Sequence, residues 1–290
     1  MAAPFPICYL NGEYAPLDQA RISPLDRGFL FADSVYEVLP VYDGRPYRFT
    51  EHFDRLARSL NEIRMSAPLT HGEWAKLLQE LIVRNQSKQC YIYVQVTRGM
   101  ELGRNHAFPT AARPTVFALC SPLPELTDAL RTDGASAITI EDFRWGRCDI
   151  KSTMLLANVL MKQVAIDSGA LEAIIVSKGE VLEGSSTSVF AVKNGALVTP
   201  PNSNRILPGT TRDAVLDLAR ERLAAQIRPL SVAELLHADE VWIAAATRAV
   251  LPVTRIDGAA IGSGKPGPVW KQMNQWFDAD RRRLSGTPVL

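Results

Sequence analysis

The chain of 290 residues exceeds one average domain, and a prior of about 150 residues per domain predicts two. Its 47% apolar and 22% charged residues are typical of a globular protein with a sizeable core. The 32 basic and 31 acidic side chains nearly cancel, which argues against nucleic acid or an anionic membrane as a partner. No leader-like segment and no apolar run of roughly 20 residues are seen, so we expect a cytoplasmic protein.

The first 120 residues predict an N-terminal α+β domain. Runs rich in Val, Ile, Tyr and Phe predict half-buried strands. Apolar residues at helical spacing, such as Phe53, Leu56 and Leu60, predict helices between them. The predicted strands cover residues 7–10, 34–42, 90–97 and 115–119, and the predicted helices cover residues 50–65 and 73–85.

A proline-punctuated stretch at residues 121–126 predicts an interdomain linker. The remaining residues, 127–290, predict a C-terminal α/β domain in which strands and helices also alternate. The predicted strands cover residues 137–141, 173–176, 187–192 and 240–245, and the predicted helices cover residues 155–168 and 211–225. The run Arg281-Arg282-Arg283 predicts a solvated face.

Several common catalytic and binding motifs are missing from the sequence. The HExxH and GxSxG patterns do not occur, which argues against zinc hydrolases and serine hydrolases. The four cysteines lack metal-binding or disulfide spacing, so we expect reduced, mostly buried thiols and no metal site.

Lys151 follows Cys148-Asp149-Ile150, between a predicted strand and a predicted helix. Burial lowers the pKa of an amine, and a neutral amine can condense with an aldehyde to a Schiff base. A surface lysine at a helix start is the simpler interpretation of this context by itself. The residues alone leave both interpretations open.

Two further segments carry polar groups suited to a bound ring or anion. Glu183-Gly184-Ser185-Ser186 offers a carboxylate for a basic ring nitrogen and hydroxyl groups for a bound group, with a polar β-turn as the alternative. Pro208-Gly209-Thr210-Thr211-Arg212 opens a predicted helix, whose first amides and hydroxyl groups suit a phosphate. An ordinary threonine N-cap is the alternative there.

Taken in order, these and other segments resemble the fold-type IV pyridoxal-phosphate enzymes, and most closely their D-amino-acid aminotransferase branch. The likeness covers nearly the whole chain, and the order of its segments is more specific than any one motif. The segments are Tyr9-Leu10-Asn11-Gly12, Asp26-Arg27-Gly28-Phe29, Val35-Tyr36-Glu37-Val38, Glu51-His52-Phe53-Asp54-Arg55-Leu56, Gln95-Val96-Thr97-Arg98-Gly99, Arg147-Cys148-Asp149-Ile150-Lys151-Ser152, Glu183-Gly184-Ser185-Ser186, Leu207-Pro208-Gly209-Thr210-Thr211-Arg212 and Ala246-Thr247.

The resemblance implies an α/β (α+β) fold of two domains, each a sheet with helices, with pyridoxal 5′-phosphate at the domain interface and most cofactor contacts from the second domain. It makes Lys151 the Schiff-base lysine and the acid/base that moves a proton between the substrate Cα and C4′ of the cofactor. It implies that Glu183 pairs with the pyridinium nitrogen and that Leu207 packs on the ring. The implied phosphate ligands are Arg55, Thr210, Thr211 and Thr247.

The resemblance assigns substrate binding to Tyr36, Arg104 and His106. In the D-amino-acid branch an Arg-x-His pair from the neighbouring subunit holds the substrate carboxylate, which implies a homodimer. An arginine suits this task because its guanidinium binds a carboxylate by a bidentate fork. The branched-chain branch typically carries Gly-Ile-Arg where this chain has Val38-Leu39-Pro40, so the likeness to that branch is weaker.

The expected activity is transamination of D-amino acids, of the D-alanine or D-glutamate class, with 2-oxo acids such as pyruvate or 2-oxoglutarate. The alternatives on the same fold are an (R)-amine transaminase, a branched-chain aminotransferase and 4-amino-4-deoxychorismate lyase. A pyridoxal-phosphate carrier or a structural dimer is the non-enzymatic alternative. Ala244-Ala245-Ala246 departs from a hydroxyl-rich run common in the family, and we expect water to supply the missing hydrogen bonds.

Overall fold

The computed structural model describes residues 3–111, 113–124 and 126–285. The chain divides into two compact units. The first unit contains the chain up to Pro124, the short segment Ile150–Met154 and the chain from Arg281. The second unit contains Glu125–Asp149 and Leu155–Asp280. Within the described ranges, no helix has the length and apolar character needed to cross a membrane.

The first unit is built on a six-stranded antiparallel sheet with the strand order β2-β1-β6-β5-β3-β4. Three α-helices and one 3₁₀ turn, Leu17–Gln19, accompany it. The strands are β1 (Ile7–Leu10), β2 (Glu13–Pro16), β3 (Ser34–Tyr42), β4 (Arg45–Pro46), β5 (Cys90–Thr97) and β6 (Thr115–Pro122). The helices are α1 (Arg27–Phe31), α2 (Phe49–Glu62) and α3 (His71–Arg84).

Strand β3 of this sheet shows a two-residue alternation of buried side chains. Along β3, residues 35, 37, 39 and 41 point to one face and are fully buried, since side chains alternate between the two faces of a strand. Amphipathic helices α2 and α3 cover the core, where the rings of Phe53 and Trp74 lie 5.0 Å apart. Helix α3 begins two residues before the predicted start because Thr70 and Glu73 form a capping box.

The second unit contains a mixed nine-stranded sheet in which β12-β11-β10-β13-β14-β7-β8-β9 follow one another and β15 pairs with β14. Its parallel pairs are β12/β11, β14/β7 and β7/β8. The strands are β7 (Ala135–Glu141), β8 (Glu172–Ser177), β9 (Glu180–Gly184), β10 (Ser188–Lys193), β11 (Ala196–Thr199), β12 (Ala225–Ile227), β13 (Glu240–Ala245), β14 (Ala249–Ile256) and β15 (Ala259–Ala260). The helices are α4 (Asp128–Thr132), α5 (Leu156–Asp167), α6 (Thr210–Ala219), α7 (Val232–Leu236) and α8 (Pro268–Ser285).

Three sequence expectations differ from the structure. The helix predicted at 211–225 ends at Ala219, because Ala225–Ile227 pairs instead as a parallel strand with β11. The turn predicted around Glu183 is preceded by strand β9, which carries Glu183 itself. The run 281–283 is not wholly solvated, since the Arg281 guanidinium lies 4.8 Å from the ring centroid of Tyr42.

Candidate active site

Lys151 lies on a short segment of the first unit that pairs with strand β3. Ser152 forms an isolated β-bridge with Val35, and the Tyr36 N–H donates to the Lys151 carbonyl at 3.0 Å. The Lys151 N–H donates to Ser59 Oγ at 3.3 Å. The backbone on both sides of the lysine is therefore fixed by hydrogen bonds to two neighbouring elements.

The amine of Lys151 rests on an aromatic ring. Its Nζ lies 4.1 Å from the ring centroid of Tyr36, and Tyr36 in turn stacks on Tyr93 with centroids 5.6 Å apart. The structure thus brings together two residues, Lys151 and Tyr36, that the sequence assigned to the site. Among the described residues, no carboxylate forms an ion pair with this amine, and its contact with the Tyr36 ring is a weak cation–π interaction.

A chain of polar side chains leads from Tyr93 toward the lysine segment. The Tyr93 hydroxyl donates to Gln95 Oε1 at 2.9 Å, and the Gln95 amide donates to Ser34 Oγ at 3.3 Å. Ser34 Oγ lies 2.5 Å from the hydroxyl of Thr153, two residues after Lys151. This chain orders the tyrosine stack and the lysine segment as one network.

Glu37 forms the centre of a buried ionic cluster on the inward face of β3. Arg55 binds its carboxylate by a fork, Nε to Oε1 at 2.7 Å and Nη2 to Oε2 at 2.8 Å. His52 Nδ1 lies 2.7 Å from the same Oε2. Burial opposes the charge of Glu37, but Arg55 and His52 outweigh it and hold its pKa well below the usual range. Glu37 is therefore ionised and holds Arg55 in one orientation.

The pKa of His52 in this cluster lies below its usual value. Burial lowers its pKa, and the positive charges of Arg55 and Lys151 lower it further, although Glu37 acts in the opposite direction. The sequence segments containing Glu37 and His52 were identified, but no role was given to either residue. The signal was available, because a carboxylate at an inward position of an apolar strand needs a buried cation. The phosphate-binding role of Arg55 stays a prediction.

In the second unit, Glu183 lies on β9 with both carboxylate oxygens engaged. Oε1 accepts from Arg144 Nη1 at 2.5 Å, and Oε2 accepts the Leu207 N–H at 3.0 Å. Arg144 also binds Asp142 and the Arg205 carbonyl. Burial opposes the charge of Arg144, yet Asp142 and Glu183 raise its pKa above the usual value. This arginine was missed, since nothing local in the sequence indicates its partner 39 residues away.

The serine-rich turn after Glu183 serves a second buried carboxylate. Ser185 Oγ donates to Glu172 Oε1, and Ser186 Oγ lies 3.3 Å from Oε2 of the same residue. The Ala173 N–H donates to Oε1 at 2.9 Å. These hydroxyl groups therefore bind Glu172 within the chain, and their role in holding a bound group stays a prediction.

The start of α6 has the features of an anion seat. Its N-cap is Gly209, so no side chain caps the first turn, whose amides lack acceptors within the helix. A Cβ on Gly209 would lie 2.6 Å from Ser188 Oγ, so the residue must be small. The hydroxyl-bearing residues Thr210 and Thr211 are buried in this turn.

Thr247 lies in the hairpin turn between β13 and β14. This turn is at the end of the sheet that also carries the start of α6. Ser188, which contacts Gly209, pairs with Ala244, and Ala245 pairs with Ala249 across the turn. The sheet therefore carries Thr247, the α6 start and the end of β9 at one edge of the second unit. Ala244 is buried between its strand neighbours.

Arg104 and His106 lie on an exposed loop of the first unit and share one aromatic platform. The Arg104 guanidinium lies 4.9 Å from the ring centroid of Phe31, and the His106 ring lies 5.3 Å from it edge-on. The structure thus holds both members of the Arg-x-His pair against the same ring, with their side chains open to solvent.

Comparison with known proteins gives a consistent family. Residues 34–256 match the family described as amino-transferase class IV. A relative named D-alanine aminotransferase from Staphylococcus haemolyticus is 39% identical over 93% of this chain and 96% of its own length. Another of that name, from Bacillus licheniformis, is 40% identical over 91% of this chain and 93% of its own.

Solved structures agree with this match. The branched-chain amino acid aminotransferase of Escherichia coli has a TM-score of 0.88 at 26% identity, over 95% of this chain and 94% of that chain. A second branched-chain amino acid aminotransferase, from T.th. and solved with pyridoxamine 5′-phosphate, has a TM-score of 0.89 at 26% identity, over 98% and 96%. These matches show that the chain belongs to the class IV aminotransferases, enzymes that use pyridoxal 5′-phosphate.

Proposed function

We propose that the protein transfers amino groups between D-amino acids, of the D-alanine or D-glutamate class, and 2-oxo acids such as pyruvate or 2-oxoglutarate. The relatives named D-alanine aminotransferase, at 38–40% identity over most of the chain, support this substrate class. The observation that carries the proposal is the Lys151 amine, which is held over Tyr36 and forms no ion pair with a carboxylate among the described residues.

The described residues fit pyridoxal phosphate by their chemistry. A lysine without an acidic partner suits its aldehyde, the buried carboxylate of Glu183 suits its ring nitrogen, and the uncapped start of α6 suits its phosphate. When bound, the cofactor supplies an electron sink for the charge that develops on the substrate Cα.

In this proposal Lys151 does two jobs with one amine. It holds the cofactor covalently, and after release by the substrate it moves the proton at the substrate Cα. The Tyr36 ring contacts the amine, and the hydrogen bond between the Tyr36 N–H and the Lys151 carbonyl keeps the lysine backbone in place. The lowered pKa of His52 favours its neutral form, which adds no positive charge beside the amine.

Glu183 holds a proton on the pyridine nitrogen by its negative charge. The position of the Glu183 carboxylate is set by two hydrogen bonds, one from the Leu207 N–H and one from Arg144. The proposed phosphate ligands are Arg55, the first turn of α6 with Thr210 and Thr211, and Thr247. Leu207 is proposed to pack on the ring, which agrees with its backbone contact to Glu183.

Substrate choice is proposed to rest on Tyr36 and on Arg104 and His106 from the second copy in a homodimer. The exposure of the Arg-x-His pair supports this, because a guanidinium open to solvent can meet a carboxylate outside its own chain. We place the enzyme in the cytoplasm, a compartment that suits its four free cysteines.

Helix α5 supplies a surface for the second copy. Its outer side is apolar and carries almost no charge, which is typical of homodimer interfaces and unlike the basic faces that bind membranes or nucleic acid. The apolar positions recur three and four residues apart, so the same helix of a second copy can pack against them across a twofold axis. The exposed fractions are 72% for Leu156, 59% for Val159, 50% for Leu160 and 45% for Val164.

A branched-chain aminotransferase is the second candidate, favoured by the TM-scores of 0.88 and 0.89 with enzymes of that name. Those structures are 26% identical to this chain, whereas the relatives named D-alanine aminotransferase reach 40%. The Val38-Leu39-Pro40 stretch also differs from the Gly-Ile-Arg of the branched-chain branch. The D-amino acid proposal is therefore preferred.

Lys151→Ala is expected to abolish nearly all turnover, because one residue carries both the covalent bond and the proton transfer. In the unchanged enzyme, borohydride reduction followed by peptide mapping should place the cofactor on Lys151. Lys162 is the internal control, since like Lys151 it is half-buried, and burial lowers the pKa of Lys162. A cofactor label on Lys162, or on any lysine other than Lys151, would contradict the assignment.

Glu183→Gln keeps the shape of the side chain but removes its charge, so kcat is expected to fall about 100-fold or more, with cofactor still bound. Glu180→Gln, an exposed position on the same strand, is the matched control and should keep the original kcat. Unchanged turnover in Glu183→Gln, at verified cofactor occupancy, would show that another group holds the ring nitrogen.

Sedimentation velocity tests the homodimer. The wild type is expected to sediment as a dimer, and Leu160→Asp is expected to shift it to monomer with loss of D-alanine turnover, since an unpaired charge is costly to bury. Ile227→Asp replaces an apolar residue of similar exposure, 56%, on strand β12 and should leave the dimer intact. A fully active wild-type monomer would contradict the dimer, and a dimeric Leu160→Asp would contradict the α5 interface.

A further inference from the structure

Arg27 is a buried arginine to which the proposed reaction gives no role. It is the first residue of α1, a helix of five residues, and its side chain is 4% exposed. Asp26 caps this helix by accepting the Gly28 N–H at 2.7 Å. The other carboxylate oxygen of Asp26 accepts from the hydroxyl groups of Thr97 and Thr115, which anchors the helix start to β5 and β6.

The Arg27 guanidinium binds three consecutive backbone carbonyls of the loop that carries Arg104 and His106. Nη1 donates to the Asn105 carbonyl at 2.6 Å and to the Ala107 carbonyl at 3.2 Å. Nη2 donates to the His106 carbonyl at 3.2 Å. One side chain therefore fixes the backbone at and around the Arg-x-His pair, from within the same unit.

Asp33 holds the other side of this guanidinium. Its carboxylate accepts from Arg27 Nε at 2.8 Å and from Arg98 Nε at 2.7 Å. Burial opposes the charge of Asp33, but the two arginines outweigh it and keep its pKa below the usual value. Arg98 also contacts the loop that carries Arg104 and His106, because its guanidinium lies 3.8 Å from the ring centroid of Phe108.

The ring of Phe31 contacts the side chains of Arg27, Arg104 and His106. The guanidiniums of Arg27 and Arg104 each lie 4.9 Å from its ring centroid, and the His106 ring packs edge-on at 5.3 Å. Because Arg27 begins and Phe31 ends the same helix, the ring and the guanidinium that contact this loop lie on one element.

From this geometry we infer that Arg27 is a positioning residue for substrate selectivity, which sets Arg104 and His106 in the orientation that receives a substrate carboxylate. This inference rests on the proposed function of the Arg-x-His pair. A lysine could keep the ion pair with Asp33, but its single ammonium cannot reproduce the fork that reaches three carbonyls. Residue 27 is therefore an arginine because only a guanidinium can reach all three carbonyls while it pairs with Asp33.

The test compares substrates with and without a carboxylate in the same holoenzyme, with cofactor occupancy verified. In Arg27→Lys, kcat/KM for D-alanine should fall about 10- to 150-fold, mainly through KM, because a charge-assisted hydrogen bond to the carboxylate is misplaced. The half-reaction rate with an (R)-amine, which has no carboxylate, should change less than about twofold. Arg104→Ala should give the same selective pattern.

Inhibition by propionate gives a readout that does not depend on turnover of an amine. Propionate carries the carboxylate without the amine, so its inhibition constant should rise in Arg27→Lys as KM does. Glu101→Gln is the matched control, because it alters only the longest contact of Arg27, at 3.5 Å, and should leave all three quantities unchanged. Phe31→Leu, a half-buried position, should reproduce the selective loss if Arg27→Lys folds poorly.

Three results would overturn the inference: equal losses for D-alanine and the (R)-amine, an unchanged D-alanine reaction in Arg27→Lys, or an unchanged propionate inhibition constant. A different result would identify failure of the proposed function instead. If Arg104→Ala kept full D-alanine activity while Arg27→Lys lost it selectively, the carboxylate would be held elsewhere and Arg27 would serve that other contact.

Discussion

The Glu37 carboxylate, entirely removed from water on the inward face of β3, is the constraint on which the lysine site depends. A buried charge is tolerated only with partners, and removing one partner of such a pair typically costs about 3–5 kcal/mol. Arg55 and His52 are those partners, and they fix helix α2 against β3. The adjacent residue on that strand, Tyr36, carries the ring and the N–H that hold Lys151.

The same arrangement of a buried carboxylate and arginine recurs at the other positions to which we propose a function. Asp33 holds Arg27 and Arg98 near the Arg-x-His loop, and Glu183 holds Arg144 near the start of α6. In each case the pair fixes a side chain in one orientation before any ligand arrives. Lys151 differs because it forms no such pair among the described residues, which agrees with the proposed covalent role of its amine.

Much of the fold follows from local patterns in the sequence. The strands β1, β3, β5 and β13 have the predicted bounds, because alternation and β-branched residues define them locally. Strand β9 was missed since Glu183-Gly184-Ser185 has turn composition, and its pairing with β8 decides the structure. The short helix α1 was missed because five residues carry too little periodicity.

The candidate site likewise contains residues that local sequence identifies and residues that only the structure identifies. Lys151, Glu183 and the start of α6 could be identified because they lie in segments that resemble a family. Arg144, the partner of Glu183, and Arg27, which binds the loop of the Arg-x-His pair, could not be identified, since a buried arginine is recognised only from the distant carboxylate or carbonyls that surround it. The hydrogen bonds of the serines after Glu183 could not be predicted either, because Glu172, their acceptor, lies 13 residues before Ser185.

The most direct test of the account is the absorption spectrum of the holoenzyme during the half-reaction with each enantiomer of alanine. The account predicts that D-alanine, without any 2-oxo acid, shifts the visible cofactor band and releases one equivalent of pyruvate per active site, and that L-alanine leaves the band unchanged. A shift of equal rate with L-alanine, or no shift with D-alanine at full cofactor occupancy, would contradict transamination of D-amino acids.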